Sequence, residues 1–353
     1  MADAVKTIVN LSCPAPLRTN DTVLLGHGSG GTLSGDLIRE VFLASFQNPV
    51  LDRLDDQAIV TINGTRLAIT TDSFVVKPLF FPGGDIGSLA VHGTVNDLAM
   101  GGAKPLFLSA AFILEEGLSM AVLRRVVHSM REAAAAAGVT IVTGDTKVVE
   151  KGSGDQLFIN TTGIGEMPDG VNLSANRARP GDAVLVSGTI GDHGIAILAQ
   201  RAGLEFDSCI QSDSAALHGL VSEMLAVSHD IRCMRDPTRG GISSSLNEIA
   251  AASKVGIELE ESEIPICEEV RGACEMLGLD PLYVANEGKL VAIVPPEIAA
   301  DLLAAMQRHP LGRNSRVIGK VCAAHPGLVT MRTDLGTHRI VDMLSGDQLP
   351  RIC

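Results

Sequence analysis

Apolar positions along this chain switch repeatedly between two spacings, and the switches mark its elements. Leu67-Ala-Ile-Thr-Thr71 and Val139-Thr-Ile-Val-Thr143 are short β-branched runs that end at Asp-bearing turns, which predicts strands. From Ser119 to Ala137 the spacing becomes helical. Val122, Leu123, Val126, Val127 and Met130 form one stripe, Ser119 supplies a cap and Gly138 a stop. A glycine-rich segment, Gly26-His-Gly-Ser-Gly-Gly31, leads into a helix expected over Ser34 to Phe46. Pro168 to Pro180 is dense in Gly, Asn and Pro and predicts a connection. The pattern then restarts with a strand, Ala183–Ser187, a glycine turn, Gly188-Thr-Ile-Gly191, and a helix from about Asp192. Further helices are expected over Arg239–Val255 and Pro296–Arg308, with Leu290-Val-Ala-Ile-Val294 a buried strand between them. After about Asp334 the periodicity fades, which predicts a flexible tail.

Helices and strands in mixed order within each half predict two α+β domains rather than one doubly wound sheet. The expected boundaries are a polar leader at 1–22, domains at 23–168 and 169–334, and a tail at 335–353. The length of 353 residues agrees with two domains, and 46% hydrophobic with 20% charged residues suits globular cores. A net charge of −13, with one Tyr and no Trp, argues against nucleic-acid binding, which needs a basic footprint or stacking platforms. No stretch has the length of a secretory or membrane-spanning segment. The seven cysteines are dispersed without a C-x-x-C pair, which argues against a disulfide framework or a structural zinc and for a cytoplasmic setting.

Four acidic turns recur in the first half: Asp55-Asp56-Gln-Ala, Thr71-Asp72-Ser73, Asn96-Asp97 before Gly101-Gly102, and Gly144-Asp145-Thr146-Lys147. Asp is disfavoured in strands and costly to bury unpaired. Any one of these turns could merely cap a helix. Together, beside a glycine-rich loop, they point to a metal–nucleotide site, because Mg²⁺ takes carboxylates plus substrate phosphates. Gly28, Gly30 and Gly31 are candidates to cradle phosphate. The loop is neither a Walker A sequence nor a dinucleotide fingerprint. In the second half, Asp236-Pro-Thr-Arg239-Gly-Gly241 and Asn286-Glu287-Gly288-Lys289 add acids and bases next to turns. Lys147 and Glu287 read either as proton carriers or as ordinary surface charges. The histidines do not cluster at ligand spacing, and only His27, inside the glycine loop, stands out.

The chain ends Pro350-Arg351-Ile352-Cys353. A terminal thiol can enter a pocket head-on and leave carrying a group, and Arg351 would favour its thiolate while its own α-carboxylate opposes it. A frayed, incidental terminal cysteine is the plain alternative.

These segments, in this order from Leu25 to Cys353, resemble the HypE family of [NiFe]-hydrogenase maturation, within the PurM-like ATP-binding superfamily that includes AIR synthetase. The acidic turns are common to that superfamily, whereas the terminal Pro-Arg-Ile-Cys is specific to this family. The resemblance implies two α/β domains, the N-terminal sheet joining a partner's in a dimeric barrel, with ATP in the cleft between domains. It implies a carbamoyl dehydratase: HypF transfers a carbamoyl group to Cys353, ATP dehydrates it to a thiocyanate, and the HypC–HypD complex accepts the cyanide. Under it, Asp55, Asp56, Asp72, Asp97 and Asp145 are expected at Mg²⁺. Asn96, Gly144, Thr146, Asp236 and Arg239 are expected around ATP, with Gly28, Gly30 and Gly31 at the phosphates. Lys147 and Glu287 are expected to take the amide protons. A selenophosphate synthetase-like enzyme, or a non-catalytic ATP-binding scaffold, remains as an alternative, although the glycine loop lacks the reactive cysteine such a synthetase would want.

Overall fold

The computed structural model describes residues 22–203, 210–346 and 353. Most of the expected leader, together with Cys13, Cys209 and Arg351, lies outside the described residues. The helix expected from Ser34 begins at Thr32. It runs through α1 (Thr32–Leu37), a π-helical stretch (Ile38–Leu43) and α2 (Ala44–Phe46).

The first sheet is built from β1 (Ala58–Ile62), β2 (Thr65–Phe74), β5 (Lys104–Glu115), β6 (Thr140–Val149) and β7 (Leu157–Glu166). Its order is β1-β2-β7-β5-β6, antiparallel except for the β5–β6 pair. A two-stranded ribbon, β3 (Phe80–Phe81) with β4 (Gly84–Asp85), precedes α3 (Ile86–Met100), and α4 (Met120–Ala136) follows β5. Strand alternation turns Ala68, Phe74, Leu108, Ala110, Leu157 and Ile159 towards these two helices. Asp85 caps α3 by accepting from the Gly87 and Ser88 amides, and Ser119 caps α4 through the Ala121 amide. Leu89, Ala90, Val91, Val95 and Leu98 are fully buried on several sides of α3, as befits a helix lodged between two packed layers. Among the described residues nothing covers the opposite sheet face, and Phe107, Ile113 and Ile164 are exposed there.

The second sheet has the order β14-β13-β10-β12-β8-β11-β9. In chain order its strands are β8 (Ala183–Val186), β9 (Cys233–Arg235), β10 (Gly256–Glu260), β11 (Val291–Val294), β12 (Arg316–Cys322), β13 (Val329–Arg332) and β14 (His338–Ile340). Its helices are α5 (Asp192–Ala202), α6 (His218–Val227), α7 (Gly241–Ser253), α8 (Glu268–Leu277) and α9 (Pro296–Arg308). Both sheet faces are covered. Val184, Val186, Val291 and Ile293 pack with α7, whereas Leu185, Ala292 and Val294 pack with α6 and α9. Leu98, Ala99 and Met100 of α3 join that second cluster and tie the two units together.

Two expectations change here. Three of the four acidic segments expected as turns lie within elements, Asp72 in β2, Asp97 in α3 and Asp145 in β6, because the strands and the helix run on past them. The segment after Asp334 is not wholly a tail, because β14 pairs with β13 across a turn in which Gly336 N–H donates to Thr333 O. A strand this short shows no readable alternation.

Candidate functional site

Between the two units lies a cavity of about 390 Å³ whose walls carry Asp56, Asp72, Asp97, Asp236, Arg239 and Glu287. Each acid arrives by a different local rule. Asp72 shares the inward parity of Ala68 and Phe74 on β2. Asp97 is on α3, and the Thr70 hydroxyl stands 2.8 Å from its Oδ2 and 2.9 Å from the Asp56 carbonyl. Asp236 follows edge strand β9, and Arg239 precedes α7. Arg235, which ends β9, forms an ion pair with Asp56 and reaches Glu248 of α7 at 3.3 Å.

Crowding acids in a dry cleft drives them towards their protonated forms. Asp97 stands well above the ordinary carboxylate range, through burial first and then the charges of Asp236, Asp72 and Asp56. Burial, reinforced by Asp56, lifts Asp236 to about 8. Asp56 is also raised by burial, against the pull of Arg235, and Asp72 by burial against that of Arg239. Glu287 is held well above its usual range by burial, then by Asp236 and Asp72. Among the described residues no group of three or more His, Cys, Asp or Glu side chains is arranged to hold a metal ion. Carboxylates such as Asp56, Asp72, Asp97 and Asp236 suit a hard cation that arrives with phosphate oxygens and displaces protons.

The segment Asn286-Glu287-Gly288-Lys289 organises the cleft floor. The Asn286 side chain accepts from Gly191 N–H at 2.8 Å and donates to Pro237 O at 3.0 Å, fixing the turn that carries Asp236. Glu287 is 2% exposed, and its Oε1 has no hydrogen-bond partner among the described residues. At Gly288 a Cβ would stand 1.8 Å from Asp213 O, so only glycine lets these segments touch. Lys289 Nζ lies 3.2 Å from Asp213 Oδ2.

Cys353 is inside the cavity, and its α-carboxylate accepts from Val75 N–H at 3.1 Å. Burial pushes its thiol up to about 12. Arg239 pulls the other way, while Glu287, Asp72 and Asp236 push with the burial. In this position the thiol is protonated and a poor nucleophile. The glycine loop grips the entry of the tail. Thr32 N–H donates to Leu344 O at 2.9 Å, Ser29 Oγ to Gly346 O at 3.0 Å, and Arg239 to Gly28 O at 3.0 Å. Of the three candidate phosphate glycines only Gly30 lines the cavity, and its N–H is bonded to Ser34 Oγ. His27 Nδ1 accepts from Leu24 N–H within the same loop.

Several expected residues are elsewhere. Asp55 faces away from the cleft, accepting from Ser174 Oγ at 3.0 Å and Ala175 N–H at 3.1 Å. Asn96 is engaged with backbone: it donates to Ala215 O and Glu287 O and accepts from Leu217 N–H, so both of its N–H groups are used. Gly144 lies in the row Asp72–Thr161–Ala110–Gly144 across the first sheet. Asp145 and Lys147 alternate with it and point to the other face, paired with each other at 2.6 Å. Three strand spacings, about 14 Å, separate β6 from β2. Thr146 faces inward at the same remote edge. Within one chain, then, Asp145 and Lys147 are not at the cleft. Arg235 and Glu248, in turn, were not singled out from sequence. Arg235 adjoins Asp236, which was a usable signal, whereas Glu248 had none, being one acid on an amphipathic helix.

Two family descriptions match the chain: AIR synthase related protein, N-terminal domain, over residues 54–167, and its C-terminal domain over residues 179–330. The carbamoyl dehydratase HypE of Azotobacter vinelandii is 58% identical over 334 residues, covering 95% of this chain and 98% of that protein. A crystal structure of a HypE–HypF complex is 52% identical with a TM-score of 0.84, over 87% of this chain and 99% of that one. A crystal structure of the hydrogenase maturation protein HypE in complex with ATP is 54% identical with a TM-score of 0.80, covering 94% of this chain and all (100%) of that one.

Proposed function

The chain belongs to the HypE family of carbamoyl dehydratases, and from that premise we propose that it dehydrates a carbamoyl group on Cys353 to a thiocyanate. ATP is the dehydrating agent, and the product is the cyanide ligand of a hydrogenase active-site iron. One observation carries this reading above all: the last residue, a cysteine, lies inside an acid-lined cleft beside Glu287 and Arg239.

The amide oxygen of S-carbamoyl-Cys353 attacks the γ-phosphorus of ATP and ADP leaves. The C–O bond of the resulting phosphate ester then breaks, releasing phosphate, while both N–H protons depart to leave a C≡N triple bond. Phosphorylation is needed because oxide is a very poor leaving group, and phosphate is a good one. Arg239 is placed to hold transferring phosphate charge. Glu287, in its ionised form, is the group placed to take an amide proton. Asp72, Asp97 and Asp236, with Asp56 once released from Arg235, would hold Mg²⁺. When bound, the ion offsets phosphate charge.

Loading has to happen elsewhere, since the inward thiol at about 12 is almost wholly protonated. The tail would therefore move out to receive the carbamoyl group from HypF, the partner with which a relative was crystallised, and again to pass cyanide to HypC–HypD. The uncovered face of the first sheet, with exposed Phe107, Ile113 and Ile164, supports a homodimer closed sheet to sheet. In that assembly Asp145 and Lys147, remote from their own cleft, would serve the partner's.

Intact mass spectrometry tests the chemistry. After incubation with a carbamoyl-transfer system, Cys353 should gain a carbamoyl group and then lose one water only with Mg-ATP, and Cys353→Ala should gain nothing. An unmodified wild-type chain would leave an ATP-binding scaffold. Mixing inactive Lys147→Ala and Glu287→Gln subunits tests the shared site. Recovery of about a quarter of the activity is expected if Lys147 acts across the dimer, and none if it does not.

A further inference from the structure

Among the described residues no group donates to Glu287 Oε1 to hold it, yet a proton acceptor must be placed to within a fraction of an ångström to work. Its placement comes through its backbone. Glu287 N–H donates to Asp213 Oδ1 at 3.0 Å, and Glu287 O accepts from Asn96 Nδ2 at 3.2 Å. Asp213 is in turn anchored by Lys289, two positions beyond Glu287, with side chains only 3% and 13% exposed. The charge pair thus closes a small loop around Glu287: backbone amide, carboxylate, ammonium and chain. Gly288, whose missing Cβ admits Asp213 O, lies at its centre.

The segment that carries Asp213 is itself held from two further helices. His193 Nδ1 meets Ser212 Oγ at 2.8 Å, His92 Nδ1 meets Ser214 Oγ at 2.9 Å, and Asn96 donates to Ala215 O at 3.0 Å. A buried ion pair rarely stabilises a fold more than a well-packed apolar pair would, so stability alone is a weak reason for this one. What it supplies is a fixed distance between two chain segments.

We infer that Asp213, held by Lys289, is a positioning residue that sets the Glu287 carboxyl against the carbamoyl nitrogen on Cys353. This rests on the reading of Glu287 as proton acceptor. Asp213 acts through the Glu287 backbone and touches no reacting atom.

The test is single-turnover dehydration of pre-carbamoylated, full-length dimer, read alongside ATP affinity and Tm. Asp213→Ala removes both the acceptor and the charge. It should slow dehydration by about tenfold or more while ATP affinity stays within about twofold. Asp213→Asn keeps an oxygen for Glu287 N–H and should recover part of the rate. The Asp213→Asn/Lys289→Met double variant, which leaves no unpaired buried ammonium, should match or exceed Asp213→Asn. A merely structural role would lower rate, ATP affinity and Tm together, and that pattern overturns the inference, as does a wild-type rate in Asp213→Ala. If Asp213→Ala does not fold, the same comparison is made between Asp213→Asn and the double variant, and wild-type rates in both overturn it. Glu287→Gln separates the premise. Full activity there removes the Glu287 reading, whereas loss there with full activity in Asp213→Ala removes this inference alone.

Discussion

Gly31→Ala should turn the buried Cys353 into a reactive thiol. Gly31 has φ −110°, an ordinary extended value, so alanine brings no backbone strain of its own. Its Cβ, however, would stand 2.1 Å from Leu344 O, a backbone atom that cannot swing aside. Relief requires the tail to lift, which also breaks the Thr32–Leu344 and Ser29–Gly346 hydrogen bonds. Two such bonds at about 1 kcal/mol each, plus about 1–3 kcal/mol of overpacking, shift the inward state by roughly 3–5 kcal/mol. That corresponds to a population change of roughly two to four orders of magnitude. The ceiling is chemical. At pH ~7.5 a thiol near 8.5 is about a tenth thiolate, whereas one at about 12 is about 3,000-fold less ionised. Iodoacetamide labelling, followed by mass spectrometry of the C-terminal peptide, should therefore show Cys353 alkylated a hundredfold or more faster in the variant. Cys274, raised by burial to about 11 in the second unit, serves as the internal control and should not change. Equal Cys353 rates in both proteins, or a wild-type rate already that of a free thiol, would refute the argument.

Asp236→Asn should flatten the pH dependence of stability. Because the folded pKa of about 8 exceeds the usual 3.8, the folded chain keeps a proton that the unfolded chain releases, so stability falls as pH rises through that window. The contribution is at most ~6 kcal/mol, and urea denaturation stepped from pH ~4 to ~8 should show stability falling more steeply with pH in wild type than in the variant. ATP binding in the presence of Mg²⁺ should tighten as pH rises towards 8, with proton release visible as a buffer-dependent heat in calorimetry, and EDTA should remove that dependence. Asn96→Ala should cost about 2–4 kcal/mol in chemical denaturation, since it strands the buried Leu217 N–H and two carbonyls.

Local information made part of this protein legible. The helix expected over Ser119–Ala137 is Met120–Ala136 with Ser119 as its cap, because stripe, cap and stop are written in neighbouring residues; Pro296–Arg308 is met at both ends with no side-chain cap, a proline opening its first turn. The acids that meet in the cleft were visible as residue types too costly to bury without a purpose. Type alone did not sort them. Asp55 and Asp56 are adjacent and chemically the same, yet one is bonded to Ser174 and Ala175 while the other faces Arg235 across the cleft.

The hardest distinction was between Asp72 and Asp145, both on long strands of one sheet. Which face a strand residue takes depends on its parity, and parity is meaningful only relative to a register that joins distant segments. Asp72 falls in the row that ends at Gly144, so Asp145, one residue on, must take the other face, with Lys147 beside it. That face also bears exposed Phe107 and Ile113, a combination of apolar side chains and an ion pair unsuited to permanent contact with water. The residue types of Gly144-Asp-Thr-Lys147 were thus read as parts of one cleft, whereas the geometry of a single chain keeps Asp145 and Lys147 out of it. If Asp145 and Lys147 are catalytic, the cleft they serve belongs to a second copy. On that reading the exposed sheet face and the stray acid–base pair have a single cause.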